Sequence, residues 1–252
     1  METRRVLWRR HLMGTVQNIA QKRKLFERYV VSKTHISPRT LGFIQRDIPR
    51  TYPQVEWVRE NAKTIEQLLV HYAAVHLADG YLQGFNYAMA IIYHVFHGHE
   101  HALADSWWCF ARWVGLVRPF IPDFNVTWFH ACRRTWLKEL MHRLKKKRPQ
   151  LHSILMQEAD TFSNLISCKW FLIWFAQQIN FERIFVLWDV IILHPPSMVI
   201  NICTSIMVEI MIEAAPQITY QWSQNPREFM YTLLRLHITN PEVIAKRVND
   251  SI

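Results

Sequence analysis

The sequence predicts an all-α fold, arranged as a single multi-helix domain over residues 1–252. Only 6 residues are glycine, too few for the turn-dense pattern of a β-sandwich or β-barrel. Half of the chain is apolar, so a chain of this length buries a core without disulfides or a structural metal. Helical periodicity is clearest between Asn61 and Asp79, where one apolar stripe contains Ile65, Leu68, Leu69, Tyr72 and His76.

Helix signals continue along the rest of the chain. The helix that begins near Asn61 is predicted to end at Asp79-Gly80, because glycine tolerates a left-handed backbone. The run Phe185–Leu193 is equally consistent with a buried strand, because continuous apolar residues carry no period. The other helix candidates are Phe85–Phe96, Asp105–Val114, Val126–Leu144, Ser163–Gln178, Glu182–Leu193, a helix capped by Ser197 and running to about Ala214, and helix starts at Asn225-Pro226 and Asn240-Pro241.

The cysteines and histidines favour a structural role. No two cysteines form a CxxC pair, and the 13 histidines show no zinc-ligand spacing. We interpret the cysteines as small core residues in a reducing, intracellular setting. The charged N-terminus lacks the apolar segment of a secretory signal, and the longest clean apolar run falls short of the roughly 20 residues that span a bilayer. We therefore expect a soluble, cytoplasmic protein.

The net charge of +10 fits nucleic acid, an anionic membrane surface or an acidic protein partner equally well. The densest basic run, Lys145–Arg148, is either a phosphate-binding or nuclear-localisation patch or the solvated end of a helix. Charge alone therefore selects no function.

The first segment that carries chemistry surrounds Arg50. Asp47 and Arg50 are three residues apart, so on a helical turn they share a face and can form an ion pair. Pro49 and Pro53 bracket Arg50, which indicates that a helix ends here and that the arginine projects from a restrained loop. Taken alone, this segment is more typical of an ordinary surface ion pair.

The second segment surrounds Gln83. Gly80 and Gly84 flank Tyr81, Leu82 and Gln83, so the backbone can turn tightly and leave the glutamine accessible between two helices. A glutamine amide donates to one group and accepts from another, so it can orient a water molecule. Taken alone, the segment is also an ordinary connection between helices.

Together the two segments resemble the signature of TBC domains. The pattern I-x-x-D-x-x-R occurs at Ile44, Asp47 and Arg50, and Y-x-Q-G follows at Tyr81, Gln83 and Gly84. Two further elements are similar to the family, an opening R-x-x-x-W element at Arg4–Trp8 and the aromatic residues Trp170–Phe175 followed by Leu187-Trp188-Asp189. The resemblance is strongest over residues 4–215, although Leu82 and Phe85 depart from the residues usual in the motif.

The resemblance implies an all-α TBC-type domain that activates a Rab-type small GTPase in its GTP form. By similarity, Arg50 is an arginine finger and Gln83 replaces the glutamine of the GTPase, while Asp47 orients the finger loop and Tyr81 and Gly84 shape the turn. No cofactor of its own is implied, because GTP and Mg²⁺ are held by the partner. Peripheral contact with anionic endomembranes through the basic surface is also expected, and vesicle trafficking is the implied context.

Two rival hypotheses remain. A catalytically silent TBC module could bind a GTPase as a scaffold or effector, although such a module needs neither Arg50 nor Gln83. A basic helical protein that binds nucleic acid is supported only by the charge, and no specific nucleic acid is expected. The sequence does not identify the GTPase.

Overall fold

The computed structural model describes residues 1–32, 35–76, 80–118, 126–157, 159–160, 162, 170–214 and 238–251. The chain divides into two compact units, Met1–Leu116 and Val117–Ile252. Among these described residues there is no strand, only an isolated parallel bridge between Ile179 and Ile238. The all-α prediction is confirmed. That the whole chain forms one domain stays a prediction.

The helices of unit 1 are α1 to α7. Their bounds are α1 (Glu2–Met13), α2 (Val16–Ser32), α3 (Pro38–Asp47), α4 (Glu56–Glu60), α5 (Ala62–Val75), α6 (Phe85–Phe96) and α7 (Ala102–Val117), with a 3₁₀ turn at Ile48–Arg50 after α3. The helix predicted over Phe85–Phe96 has the expected bounds. Helix α5 ends at Val75, four residues before the predicted stop at Asp79, and residues 77–79 lie outside the described part.

Aromatic rings build the core of unit 1. Tyr72 of α5 meets Phe110 of α7 edge to face at 4.9 Å between centroids, and Phe85 of α6 meets Trp113 of α7 at 5.7 Å. Edge-to-face contacts place the positive rim of one ring on the negative face of another, which adds to the gain from burial. The stripe residues Ile65, Leu68, Leu69 and Tyr72 are buried as predicted, whereas His76 lies just past the end of α5 and is half-buried. Trp8, from the opening element, is also fully buried.

A buried ion cluster ties α1 and α2 to α7. The carboxylate of Asp105 is completely buried, and Arg23 donates to both of its oxygens at 2.8 and 2.7 Å. Arg9 Nε lies 2.8 Å from the same carboxylate. A buried carboxylate is tolerated only when such partners replace its hydration, so this cluster makes the position of the N-terminal helices depend on α7.

The helices of unit 2 are α8 (Val126–Lys147), α9 (Pro149–Met156), α10 (Phe185–Ile192), α11 (Val199–Ala214) and α12 (Pro241–Asn249). Helix α11 packs against α8, α10 and α12. The run that was equally consistent with a strand is the helix α10. The predicted helix start at Asn240-Pro241 is confirmed, whereas the one at Asn225-Pro226 lies outside the described residues.

The prediction of one helix over Ser163–Gln178 is wrong for its described part. Residues 172–178 form turns, and Trp174 and Phe175 have φ values of 45° and 64°. Both side chains are fully buried, and Trp188 Nε1 donates to the Trp174 carbonyl at 3.1 Å. Tertiary burial of this aromatic segment outweighs its local preference for helix.

Ser197 does not cap α11 as predicted. Pro195 has an extended backbone (φ −56°, ψ 143°), as expected for a residue that precedes a proline. A 3₁₀ turn follows at Pro196–Met198, closed by a hydrogen bond from Met198 N to the Pro195 carbonyl. Ser197 therefore lies inside this turn, and α11 starts at Val199.

Residues Pro196–Glu213 are long and apolar enough to cross a membrane by length and composition. However, 56% of this stretch is buried inside the fold, and the core helix of a soluble protein meets the same criteria.

Two cysteines behave as predicted. Cys109 and Cys203 are free and fully buried, and burial raises the pKa of both thiols. Their burial makes both of them core residues. The raised pKa also makes each thiol a poor nucleophile at neutral pH. The side chains of Cys132 and Cys168 lie outside the described part.

Candidate functional site

Arg50 lies at the end of a short, tightly turned segment of unit 1. Helix α3 begins where the Ser37 hydroxyl accepts the Thr40 N–H at 3.0 Å and Pro38 occupies the first turn. The helix ends at Asp47, and the 3₁₀ turn Ile48–Arg50 carries the arginine out to an exposed position. The sequence predicts a helix that ends before Arg50. The Ser37-Pro38 pair signals where this helix starts, and sequence reasoning missed that signal.

The backbone after Arg50 is held in an unusual conformation. Tyr52 has a φ of 42° and is nearly completely buried, and its ring meets the ring of Tyr87 edge to face at 5.0 Å. The Tyr87 hydroxyl donates to the Arg50 carbonyl at 3.0 Å. A non-glycine residue in the left-handed region costs about 1–3 kcal/mol, so packing against α6 must hold this loop in place.

Gln83 lies in the connection that precedes α6. The Phe85 N–H donates to the Leu82 carbonyl at 3.0 Å, which closes the turn around Gln83 and leaves that side chain exposed. Gly84 follows with a φ of 107°, in the region that side chains with a Cβ rarely adopt. Gly80, at a φ of 51°, donates to the His76 carbonyl at 2.7 Å. Both glycines therefore serve the tight connection that the sequence predicts.

A hydrogen-bond network joins the two segments. The Tyr81 hydroxyl donates to Asp47 Oδ2 at 2.8 Å and also lies 3.1 Å from Asn86 Oδ1. Asn86 is buried, and its amide donates to Thr51 Oγ1 at 2.7 Å while its carbonyl oxygen accepts the Gly84 N–H at 3.1 Å. The Thr51 hydroxyl in turn donates to the Asp47 carbonyl at 3.0 Å. The position of one segment therefore depends on the other.

The network also changes the acidity of Tyr81. Burial raises the pKa of this phenol, and the hydrogen bond to the Asp47 carboxylate raises it further. The phenol keeps its proton throughout the physiological range, so it remains a donor to Asp47.

Arg50 and Gln83 line the same open groove of about 410 Å³. Its other lining residues are Phe43, Arg46, Asp47, Tyr81 and Leu82. The lining contains two arginines, Arg46 and Arg50, and one carboxylate, that of Asp47, so the groove presents a net positive charge. A guanidinium and an amide are thus offered together to whatever enters the groove.

The remaining residues of the predicted site have structural positions. Ile44 is completely buried on the core side of α3. The ion pair between Asp47 and Arg50 that their spacing allows is not among the salt bridges of the described residues, and Asp47 bonds to Tyr81 instead.

Sequence reasoning missed Asn86 and Tyr87, which connect to Thr51 and Arg50 across 35 and 37 residues. A polar asparagine at the start of an apolar helix was the available signal.

Within the described part of the chain, no group of three or more His, Cys, Asp or Glu side chains is placed to hold a metal ion.

Comparison with known proteins gives a consistent family. The model of the Rab-GTPase-TBC domain matches residues 1–213. The chain is 25% identical over 161 residues to growth hormone-regulated TBC protein 1 of Xenopus laevis, and the aligned stretch covers 61% of this chain and 44% of that protein. It is 26% identical over 154 residues to TBC1 domain family member 17 of Homo sapiens, and the aligned stretch covers 60% of this chain and 22% of that protein. The chain therefore spans less than half of the length of either relative.

A solved structure shows the same fold. The crystal structure of the Ypt/Rab-GAP domain of Gyp1p aligns with a TM-score of 0.72 and 15% sequence identity, covering 98% of this chain and 85% of that one. The likeness at this identity concerns the fold alone, and it confirms the TBC-type architecture expected from the sequence.

Proposed function

The chain belongs to the Rab-GTPase-TBC domain family, and from this premise we propose that it accelerates GTP hydrolysis by a Rab-type small GTPase in its GTP form. One observation carries the proposal. The exposed side chains of Arg50 and Gln83, supplied by two separate segments, line one groove whose lining is net positive. GTP hydrolysis needs one cationic group and one group that orients water, and this groove offers both.

Arg50 is the group that stabilises charge. During hydrolysis, negative charge redistributes over the oxygens of the transferring γ-phosphoryl group and the leaving oxygen. A guanidinium inserted from the activator neutralises part of this charge, and its planar fork meets two oxygens at once. Arginines supplied in this way raise the rate of hydrolysis by about 10³–10⁵. The turn at Ile48–Arg50 leaves the Arg50 side chain exposed for such insertion.

Gln83 is the group that orients water. Its amide is too weakly basic to remove a proton, but it can accept from the attacking water while donating to a second acceptor. The turn between Leu82 and Phe85 leaves the Gln83 side chain exposed at the groove. In this proposal it takes the place of the glutamine that the GTPase itself carries.

Asp47, Tyr81 and Gly84 position the two groups without touching the substrate. Asp47 and Tyr81 bond to each other and join the two segments, and the positive φ of Gly84 directs the chain into α6. Preorganisation of this kind matters because a donor that is already in place needs no reorganisation at the moment of reaction.

GTP and Mg²⁺ stay bound to the GTPase during the proposed reaction, and the activator contributes side chains only. The reaction takes place in the cytoplasm, at the surface of endomembranes that traffic vesicles. Exposed basic residues at the end of α8, such as Lys145, Lys146 and Arg148, would meet an anionic lipid surface there.

The test is a panel of GTP-loaded Rab proteins, each mixed with the chain, in which phosphate release is followed in a single turnover. We expect at least one GTPase to hydrolyse GTP faster, and Arg50→Ala to remove the stimulation. A GTPase that binds the chain in its GTP form but hydrolyses at its intrinsic rate would show instead a silent binding module.

A further inference from the structure

One wall of the groove carries an exposed aromatic ring between two cations. Phe43 of α3 is 40% exposed although it is large and apolar. The guanidinium carbon of Arg39 lies 5.6 Å from its ring centroid, and that of Arg46 lies 4.8 Å from it. The three residues stand four and three positions apart on the helix, so they share one face. We call this set the Arg-Phe-Arg cluster.

The cluster is also an uncompensated concentration of positive charge. Arg46 Nε donates to the Gly42 carbonyl at 3.1 Å, which fixes its guanidinium near the ring. In the salt bridges found among the described residues, neither Arg39 nor Arg46 meets a carboxylate. Arg46 and Arg50 both line the groove, whereas Arg39 extends the positive charge along α3 beyond the lining. Like charges held this close favour a negatively charged partner.

The position of the cluster relative to Arg50 decides what covers it. Phe43 and Arg50 both line the groove, and they are seven positions apart along α3 and its 3₁₀ turn, a rise of roughly 10–12 Å. A specific protein interface buries about 800 Å² on each partner, a patch roughly 30 Å across, which is wider than this separation. A GTPase that receives Arg50 therefore covers Phe43 as well.

We propose that the Arg-Phe-Arg cluster is the recognition surface through which the chain binds its GTPase, an inference that rests on the proposed function. The matching surface on the GTPase is an apolar side chain flanked by carboxylates. Burial removes water from Phe43, and a cation over an aromatic face binds more strongly once water is excluded. Aromatic and arginine side chains are also the residues that most often dominate the energy of an interface.

The cluster thus separates recognition from chemistry. Arg50 and Gln83 act on the phosphate and the water, whereas Phe43 with its two arginines acts on affinity. Removing the ring should weaken binding and leave the maximal rate unchanged, because the finger segments are held by other contacts, those of Asp47, Tyr81 and Asn86.

The experiment titrates each variant against the GTP-loaded GTPase selected by the panel and measures single-turnover hydrolysis. Phe43→Ala should raise the half-saturating concentration about tenfold or more and keep the maximal rate within about twofold. The double variant Arg39→Ala/Arg46→Ala should raise it as well and flatten its dependence on salt, because two charges are lost. Leu103→Ala and Arg10→Ala are matched controls, exposed in unit 1 but not part of the groove lining.

The outcomes separate this inference from the proposed function. If Arg50→Ala abolishes stimulation while Phe43→Ala behaves like Leu103→Ala, the GTPase is activated but the cluster does not recognise it, and the inference is overturned. If no GTPase is activated, the proposed function fails, and calorimetric binding of each GTP-loaded GTPase decides the inference. Weaker binding by Phe43→Ala supports it in that case, and unchanged binding or no binding at all overturns it.

Discussion

The amide of Asn86 donates a hydrogen bond to Thr51 Oγ1 over 2.7 Å, and this contact joins the segment that carries Arg50 to the helix that follows Gln83. Asn86 is only 1% exposed, so the bond forms away from competing water. Its carbonyl oxygen also accepts the Gly84 N–H, next to the glutamine. One buried side chain therefore links the two segments that carry the proposed fingers.

Replacing Arg50 tests charge stabilisation. Arg50→Ala should lower kcat/KM for stimulated hydrolysis by about 10³–10⁵, which corresponds to roughly 4–7 kcal/mol of barrier. Arg50→Lys keeps the charge but loses the planar fork, so we expect it to recover only part of the rate. The side chain is exposed, and circular dichroism should show an unchanged fold. Near-normal hydrolysis with Arg50→Ala would remove Arg50 from the mechanism.

Replacing Gln83 tests the orientation of water. Gln83→Ala should lower the rate of stimulated hydrolysis by about as much as Arg50→Ala does, because both groups act in the same transition state. For the same reason the double variant should be little worse than either single variant, since effects of residues that act as a unit do not add. Single-turnover rates of the four proteins give this comparison directly. Full additivity of the two losses would mean that the residues act independently.

Truncating Asn86 tests the coupling between the segments. Asn86→Ala removes the acceptor of the Gly84 N–H and the donor to Thr51 Oγ1, so urea denaturation should show a loss of about 1–3 kcal/mol in unfolding free energy. We also expect kcat to fall with KM unchanged, measured where the variant is fully folded. Thr204→Ala is the matched control, because Thr204 is a buried polar residue of unit 2 outside the site. An equal fall in kcat in both variants would show that Asn86 acts only through stability.

Adding a Cβ at Gly84 tests the turn beside Gln83. Its φ of 107° lies where an alanine is strained, so Gly84→Ala should reduce the unfolding free energy by about 1–2 kcal/mol. The strain should also shift the turn and lower the stimulated rate. Gly115→Ala is a suitable control, since Gly115 lies in the helix α7 and an added Cβ meets no atom within 4 Å there. A Gly84→Ala protein as stable and active as the Gly115→Ala protein would contradict this account.

The raised pKa of Tyr81 predicts a pH dependence of stability. Above about pH 10 the unfolded phenol ionises, whereas the folded one, buried and bonded to Asp47, keeps its proton. The unfolded state then binds fewer protons than the folded state, so the unfolding free energy falls as pH rises, by about 1.4 kcal/mol per pH unit. Tyr81→Phe lacks this component. Urea denaturation of both proteins between pH 8 and 11 should give curves that converge, and parallel curves would show an ordinary pKa for Tyr81.

Local sequence signals predicted a large part of the fold and of the site. The stripe from Ile65 to Tyr72 and the helix Phe85–Phe96 could be recognised because helical periodicity is a property of neighbouring residues. Arg50 and Gln83 stood out because prolines fix the backbone beside Arg50 and glycines permit a tight turn beside Gln83, and both are local features of the sequence. Their catalytic roles came from resemblance to a family and remain proposals.

What depends on residues far apart in the chain was decided only by the tertiary structure. Trp174 and Phe175 leave the helical region because their rings are buried and the Trp174 carbonyl is bonded by Trp188. Asp47 accepts a hydrogen bond from Tyr81 and does not pair with Arg50, although Arg50 is nearer in sequence. A contact across 34 residues forms only after the chain has paid the entropy of closing that loop, and packing of the whole unit determines whether it forms. Periodicity carries no information about such pairs.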